Sequence, residues 1–348
     1  MALLTPLRPE ASQVRHVVIA YHPGRYAQVV DSVCTELVEA GLGVSRVPTE
    51  SDTGQTAEAL AATIRTAPVN SPKEIGIGVV AGDGTQAKII KASRFACVAT
   101  LTNGETPITS IAGGFAGDHR RSCHGDLGRT ASEIILQGVV VPAHWIIRTR
   151  IAPDSNPVLD EAYMYTGIGK TAEGARRTNC VDEKEGRLHR LARLGFGTLF
   201  TPIEFSADIG NGAEKFSDIT VAVISRMSVV GFTNTEPWSG DMRVITTSPG
   251  HVANIRSALA LMLPAFPAGV SAQKFSVRVL EDTLWHRDGE PPDVLSEGTE
   301  LSYEASGDTY PTLTTRFAPK ATHFVQSASS FLNNAGSKLT ANRHRQLR

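Results

Sequence analysis

Residues 79–92, VVAGDGTQAKIIKA, place two glycines around one aspartate, between a β-branched run and a helix-like segment. Gly82 and Gly84 lack a Cβ, so a turn built on them can approach a phosphate closely. Asp83 would face the cleft, where a carboxylate binds a metal ion or a hydroxyl. Thr85 can cap the helix that follows, and a helix N-terminus favours an anion. The segment indicates a phosphate-binding turn, and it is equally compatible with an ordinary strand-to-helix turn.

The elements that must position this turn follow from the pattern of the first ~140 residues. Strands are expected at 16–24, 42–49, 74–80 and 95–102, and helices at 26–41, 54–67 and 86–93. This alternation predicts a mostly parallel sheet covered on both faces. In such sheets ligands collect at the carboxyl ends of the strands. HPGR (22–25) and AGDGT (81–85) both fall at such ends.

The pattern changes from about residue 144, where short strand-like runs follow one another with turn residues between them. Helices interrupt these runs near 183–194 and 251–263. This pattern predicts an antiparallel, β-rich second domain. The expected division is 1–143, 144–318 and a C-terminal segment, 319–348, which either packs back on the first domain or frays.

Composition narrows the class of protein. The chain has 348 residues, of which 41% are hydrophobic and 20% charged, so it can bury a large core and form two domains. The formal net charge of −1 gives no electrostatic reason to bind nucleic acid. The four cysteines show no Cys-x-x-Cys spacing, and no signal peptide or apolar run of ~18 residues is evident. A soluble cytoplasmic protein is expected, and contact with a membrane surface stays open.

Five segments follow one another in order along the chain: AYHPGR, VPTESDTGQTAEAL, VVAGDGTQA, AGGFAGDHRR and WHRDGEPP. This ordered series resembles the diacylglycerol kinase-like lipid kinases, a superfamily that includes sphingosine and ceramide kinases and, more remotely, NAD kinases. The resemblance covers most of residues 16–318. It implies a Rossmann-like, three-layer α/β nucleotide-binding domain followed by an antiparallel β-sandwich that binds the acceptor.

The same resemblance implies an ATP-dependent lipid kinase with ATP and Mg²⁺ as cofactors. Asp83 would organise the nucleotide and the metal ion, and Asp118 would help to hold Mg²⁺. Glu290 would be the general base that takes a proton from the acceptor hydroxyl. The residues implied to contact the nucleotide are His22, Pro23, Gly24, Arg25, Thr49, Ala81, Gly82, Gly84, Thr85 and Gln86. The implied partner is a lipid or lipid-like alcohol, with a homodimer and a transient membrane contact left open.

The chain departs from the family pattern at several positions. Ala81 replaces a glycine, Lys88 stands where an acid is expected, Phe115 replaces a threonine, and Ser239 replaces an aspartate of a metal-binding loop. Lys88 is either a solvated lysine on the first turn of the helix or a cation that replaces part of the metal-and-acid arrangement. Two alternatives therefore stand beside the lipid kinase: a non-catalytic lipid- or nucleotide-binding relative, and a kinase of a soluble substrate such as NAD.

Two further motifs have simpler interpretations. GIGKTAEG (167–174) resembles the end of a P-loop, but Met164 occupies the position of the first glycine and the segment lies in the β-rich half. HRRSCH (119–124) contains His119, Cys123 and His124 but lacks a second pair of zinc ligands. A solvated basic loop is expected there, in which the two arginines of the segment are available to phosphates or a membrane surface.

Overall fold

The structure is a computed structural model that describes residues 10–112, 118–125, 129–179, 203–224, 226–228, 231–233, 236–250, 269–288 and 290–316. The helices expected at 183–194 and 251–263 lie outside these residues. So do Phe115 and the C-terminal segment 319–348.

The first half of the chain alternates strands with helices. Its strands are β1 (Glu10–Ala11), β2 (His16–Tyr21), β3 (Gly43–Pro48), β4 (Ile75–Val80), β5 (Ile108–Ala112) and β6 (Val139–Ala143). Its helices are α1 (Pro23–Glu39), α2 (Thr53–Thr66), α3 (Asp83–Ser93), α4 (Ala96–Thr102), α5 (Asp118–His124) and α6 (Ala131–Gln137), with a 3₁₀ turn at Pro72–Glu74.

The second half is composed mainly of strands, with one described helix, α7 (Lys170–Asn179). The strands are β7 (Ile146–Ile151), β8 (Val158–Ala162), β9 (Tyr165–Gly169), β10 (Phe205–Asp208), β11 (Ala213–Phe216), β12 (Asp218–Ala222), β13 (Arg226–Ser228), β14 (Gly231–Thr233), β15 (Met242–Thr247), β16 (Val270–Ala272), β17 (Lys274–Val279), β18 (Thr283–Arg287), β19 (Asp293–Leu295), β20 (Glu300–Ala305) and β21 (Tyr310–Thr314).

Local signals explain where the long helices begin and end. Pro23 stands at the first position of α1, where its missing N–H costs nothing. The helix ends at Glu39, and Gly41, two residues later with a φ of +83°, closes a Schellman turn in which Leu42 N–H donates to Leu37 O. Asp52 caps α2 by accepting from Gln55 N–H at 3.0 Å. Thr130 and Glu133 form a capping box on α6.

The first sheet has the strand order β1-β6-β21-β5-β4-β2-β3. The pairs β2–β3, β2–β4, β4–β5 and β5–β21 are parallel. One face packs on α1 and α6, through residues such as Leu37 and Ile135, and the other packs on α2, α3 and α4, through Leu60, Ile90 and Val98. The expected three-layer α/β arrangement is confirmed.

Two antiparallel sheets form the rest of the core, in the orders β11-β10-β17-β20-β7-β8 and β16-β15-β12-β9-β18-β19. They face each other: the guanidinium of Arg148 on β7 lies 3.8 Å from the ring centroid of Trp285 on β18. Their apolar side chains join the cluster under α2, α3 and α4. The expected antiparallel β-sandwich is therefore confirmed, while the boundary between 143 and 144 stays a prediction.

The structure corrects two sequence-based assignments. The expected strand at 95–102 is helix α4, because Val98 and Thr102 are buried while Cys97 and Leu101 pack against the core beside them, which is helical spacing. The last strand-like run, assigned to the β-rich half, contributes β21 to the first sheet, where it lies between β5 and β6.

Replacing Gly169 with alanine should destabilise the fold by about 3 kcal/mol. Its φ is +84°, and a Cβ there would lie 2.6 Å from Ser217 O and 2.7 Å from Phe205 Cε1, so strain and overpacking add. The matched control is Gly41→Ala, at φ +83° with nothing within 4 Å of the new Cβ, for which strain alone predicts about 1 kcal/mol. Urea denaturation measures both; equal losses would show that packing around Gly169 yields to the added methyl.

Candidate functional site

The carboxyl ends of three neighbouring strands meet at one edge of the first sheet. Tyr21 at the end of β2 pairs with Pro48 of β3 and with Val80 of β4. The residues that follow these strands are 22–24, Thr49 and 81–86, and we call this set the carboxyl edge. Nearly all of the residues expected to bind a nucleotide therefore lie together. Arg25 follows them in α1.

Two helices begin at the carboxyl edge. The N-cap of α1 is His22 and that of α3 is Gly82, and in the described structure neither supplies a side-chain hydrogen bond to its helix. The first N–H groups of a helix have no partner within it, and the helix dipole makes this end positive. Two such ends on neighbouring strands favour an anion such as a phosphate.

Gly82 leaves space above the turn. Its backbone angles, φ −77° and ψ 168°, suit any residue, so the backbone does not require glycine. A Cβ added at this position would meet Tyr26 Oη at 4.0 Å and nothing nearer among the described residues. The missing side chain therefore provides room for a group that approaches the backbone.

Gln86 carries the second sign of a ligand. Its side chain is 1% exposed, and neither Oε1 nor Nε2 has a hydrogen-bond partner among the described residues. A buried, unpaired amide group costs about 1–3 kcal/mol. Gln86 lies one turn after Gly82 in α3, and a polar ligand at the carboxyl edge that reaches this amide would relieve the cost. In that respect the residues present fit a nucleotide.

Lys88 has a definite place in this arrangement. It lies in the second turn of α3, not the first, and its Nζ donates to Ser51 O at 2.8 Å and Glu50 O at 3.3 Å. These bonds tie α3 to the segment that follows β3. Thr49, in that segment, donates its N–H to Tyr21 O at 2.9 Å. Lys88 thus positions one strand end of the carboxyl edge relative to another.

The two acids expected to bind metal begin helices after neighbouring strands. Asp83 is the half-buried first residue of α3, and Asp118 is the first residue of α5. Among the described side chains, no group of three or more His, Cys, Asp or Glu could hold a metal ion. Mg²⁺ in kinases is usually bound by one or two carboxylates together with substrate phosphates. Asp83 fits that use, with phosphates supplying the remaining ligands.

Glu290 lies apart from the carboxyl edge, on the loop after β18. Its Oε2 accepts from Arg287 Nε at 2.6 Å, and its side chain is 51% exposed. Arg287 also binds Asp160, which in turn binds the buried Arg148. Burial lowers the pKa of Arg148 to about 10. This chain of alternating charges fixes the position of the Glu290 loop on the sandwich.

Asp288, two residues before Glu290, is a buried carboxyl that the sequence did not reveal. Its carboxylate is 3% exposed and accepts N–H groups of Tyr163, Met164 and Tyr165 at 2.8–3.0 Å. Burial raises the pKa of Asp288 to about 6, although these three bonds act in the opposite direction. Its φ of +45° is a conformation that Asp tolerates better than most residues, which is the one local signal of its role.

The Glu290 loop is linked to the α/β layers at the far end of α3. Tyr163, which donates its N–H to Asp288, also accepts a hydrogen bond from Arg94 at 2.6 Å through its hydroxyl. Arg94 is the C-cap of α3, whereas Asp83 is its first residue. Helix α3 has 11 residues and therefore spans about 16 Å. The structure thus groups Asp83 with the carboxyl edge and Asp288 with the opposite end of the helix.

HRRSCH is not a solvated loop. It forms α5, in which His119, Ser122, Cys123 and His124 are buried against β5 and β21. His124 Nε2 lies 2.8 Å from Thr109 Oγ1. Burial lowers the pKa of His119 to about 4 and raises that of Cys123 to about 12. These groups are uncharged near neutral pH.

GIGKTAEG does not provide a phosphate loop either. Gly169 ends β9 and Lys170 begins α7, but Asp218 already occupies the start of this helix. Its Oδ1 accepts from both the N–H and the hydroxyl of Thr171 at 2.6 Å. A buried carboxylate in this position repels the anion that a P-loop would bind.

Comparison with solved structures identifies the fold. Two structures from Bacillus anthracis str. Sterne, both described as a "putative diacylglycerol kinase", match this chain with TM-scores of 0.55 and 0.52 at 13% identity. The matches cover 84% and 86% of this chain and 95% and 97% of those proteins. The chain has the diacylglycerol kinase-like fold. No protein-family model and no curated protein sequence matches it. In the described part of the chain, no helix has both the length and the apolarity needed to cross a membrane.

The pH dependence of stability tests the environment of Asp288. Its carboxyl keeps a proton up to a pH of about 6 in the folded chain, against a usual pKa of 3.8, so ionisation favours unfolding between these values. The unfolding free energy of the wild type should therefore fall relative to Asp288→Asn as the pH rises from about 4 to about 6. Urea denaturation at each pH measures it.

The control for this experiment is Asp154→Asn, at an exposed aspartate that also has a positive φ, +58°. The difference in unfolding free energy between the wild type and Asp154→Asn should not show the fall between about pH 4 and about pH 6 that is expected for Asp288→Asn. A difference between the wild type and Asp288→Asn that stays constant or grows with pH would contradict the buried, proton-holding carboxyl.

Proposed function

We propose that this protein is an ATP-dependent phosphotransferase that moves the γ-phosphate of ATP to a hydroxyl of a diacylglycerol-like or other lipid alcohol. The observation that carries the proposal is the carboxyl edge. Two helix N-termini without side-chain caps meet there, beside the open space at Gly82 and the unpaired, buried amide of Gln86. The diacylglycerol kinase-like fold supports the same reaction class.

In this proposal the chain's own groups mainly bind and orient. Backbone N–H groups at the starts of α1 and α3 hold phosphate oxygens, and Gln86 offers an amide donor and acceptor to the nucleotide. Asp83 and Asp118 would hold Mg²⁺, and the ion would supply positive charge that neutralises the phosphates. Glu290 is assigned the proton of the acceptor hydroxyl on the resemblance alone, because the described contacts link its loop to the far end of α3 and not to the carboxyl edge. Its ion pair with Arg287 orients the carboxylate.

The acceptor class rests on the resemblance to lipid kinases. The departures at Ala81, Lys88, Phe115 and Ser239 instead favour a relative that binds a nucleotide or lipid without turnover. The contacts of Lys88 reduce its weight as evidence for a non-catalytic relative, because its ammonium group donates to two backbone carbonyls and so supports the carboxyl edge. A soluble acceptor such as NAD is the remaining alternative, and product analysis separates the three.

Gly82→Ala should weaken binding of Mg-ATP by at least about tenfold, because the new methyl occupies the space beside the turn. The fold should tolerate it, since the nearest described atom would be 4.0 Å away. Isothermal titration with Mg-ATP measures the affinity, and thermal unfolding verifies the fold. Gly307→Ala, where a Cβ also meets nothing within 4 Å, is the matched control. Unchanged affinity in Gly82→Ala would remove the turn from the nucleotide site.

Glu290→Gln should lower phosphotransfer by about 10²–10⁴-fold, the range expected when a general base is lost. Asp83→Asn should also lower it, because the charge that organises the metal ion and the phosphates is lost. Mass spectrometry of products from a panel of lipid alcohols, nucleosides and NAD measures the rate and names the acceptor. Asp293→Asn, an exposed acid near Glu290, is the control. Full activity in either variant would refute the role given to that residue. Binding of ATP without any product in the wild type would support the non-catalytic relative.

A further inference from the structure

A cavity of about 240 Å³ opens at the edge of the first sheet opposite the carboxyl edge. It lies at the amino ends of β5 and β21, beneath α4, and its apolar wall includes Ile77, Val98 and Ile108. A cavity of about 150 Å³ accommodates benzene. This one therefore fits a ring or a short chain with one polar group, and it is too small for a diacylglycerol.

Arg94, at the end of α3, lines this cavity. It is the one charged residue among the described lining residues. The guanidinium lies 3.7 Å from the ring centroid of Trp145, which holds it in place. Its bonds to Glu161 Oε1 and Oε2, at 3.0 Å, and to Tyr163 Oη all use Nη1. The donors on Nε and Nη2 have no protein acceptor in the described structure, and together they form the fork that binds a carboxylate.

Charge around the cavity favours an anion. Lys91, one turn before Arg94, also interacts electrostatically with Glu161, so two cations face one carboxylate. None of the cavity's described lining residues is acidic. A carboxylate that enters the cavity therefore meets one cation, Arg94, and no acid among the described lining residues.

Two buried donors near Arg94 also lack acceptors. Tyr310 lines the cavity, is 3% exposed, and its hydroxyl has no hydrogen-bond partner in the described part of the chain. Trp145 is 2% exposed, and its indole Nε1–H is equally unpaired. Unpaired donors at such depth are unfavourable. Of the two residues, Tyr310 lines the cavity, so its hydroxyl is the donor that an acceptor oxygen of a ligand there would complete.

We infer that the cavity binds a small amphipathic monocarboxylate. Its carboxylate lies on Nε and Nη2 of Arg94, and its apolar body, about the size of a phenyl ring, lies against Ile77, Val98 and Ile108. The site is separate from the carboxyl edge, since Arg94 and Asp83 are at opposite ends of α3, about 16 Å apart. The guanidinium of Arg94 also binds Glu161 of β8 and so links α3 to the sandwich. The bound monocarboxylate would therefore contact this linking residue.

Titration of the full chain, without nucleotide, tests this inference independently of any kinase activity. Phenylacetate is the probe, and phenylacetamide is the neutral analogue of the same shape. Isothermal titration should detect phenylacetate, and phenylacetamide should bind at least about tenfold more weakly, since the charge-assisted fork to Arg94 is lost.

Two variants separate the charge from the cavity. Arg94→Lys keeps a cation but loses the fork, and Ala99→Leu narrows the cavity from a partly exposed lining position while leaving Arg94 in place. Each should weaken phenylacetate binding by about tenfold or more. Arg65→Lys, in the last turn of α2, should leave it unchanged. Absence of binding at about 10 mM probe, equal binding of acid and amide, or wild-type affinity in Ala99→Leu would each overturn the inference.

Discussion

The parallel pairing of β2 with both β3 and β4 is the constraint on which the rest of the structure depends. Because Tyr21 pairs with Pro48 on one side and Val80 on the other, three strand ends are brought level at one edge. The helices that follow β2 and β4 then begin side by side. Lys88 adds a cross-link from α3 to the segment after β3. The chemistry proposed for this edge follows from that alignment of backbone ends.

The two ends of α3 face different chemical environments. Its N-terminus carries Asp83 and the buried amide of Gln86, and its C-terminus carries Arg94, which binds Glu161 and Tyr163. Tyr163 and the two residues that follow it donate their backbone N–H groups to Asp288. The helix therefore joins the carboxyl edge to the β-sandwich, and the Glu290 loop is held from the far end.

Sequence patterns predicted the elements whose signals are local. Pro23, Gly41 and Asp52 set the ends of α1 and α2 close to where they were expected. The strand predicted at 95–102 was wrong, because a short apolar run fits a strand as well as a helix. Packing of this segment against α2 made it a helix. The solvated loop predicted for HRRSCH was wrong, because the burial of His119 and Cys123 depends on β21, nearly 200 residues away. Asp288 and Arg94 likewise gained their roles from contacts distant in sequence, 125 residues away for Asp288 with Tyr163 and 67 for Arg94 with Glu161.

Hydrogen exchange of the wild-type chain, with and without Mg²⁺ and a non-hydrolysable ATP analogue, tests the central claim most directly. If phosphates bind to the N–H groups at the starts of α1 and α3, exchange should slow in peptides covering 21–27 and 81–90. It should stay unchanged in a peptide covering 274–280 of the sandwich. Binding of the analogue with no slowing at 81–90 would contradict the account.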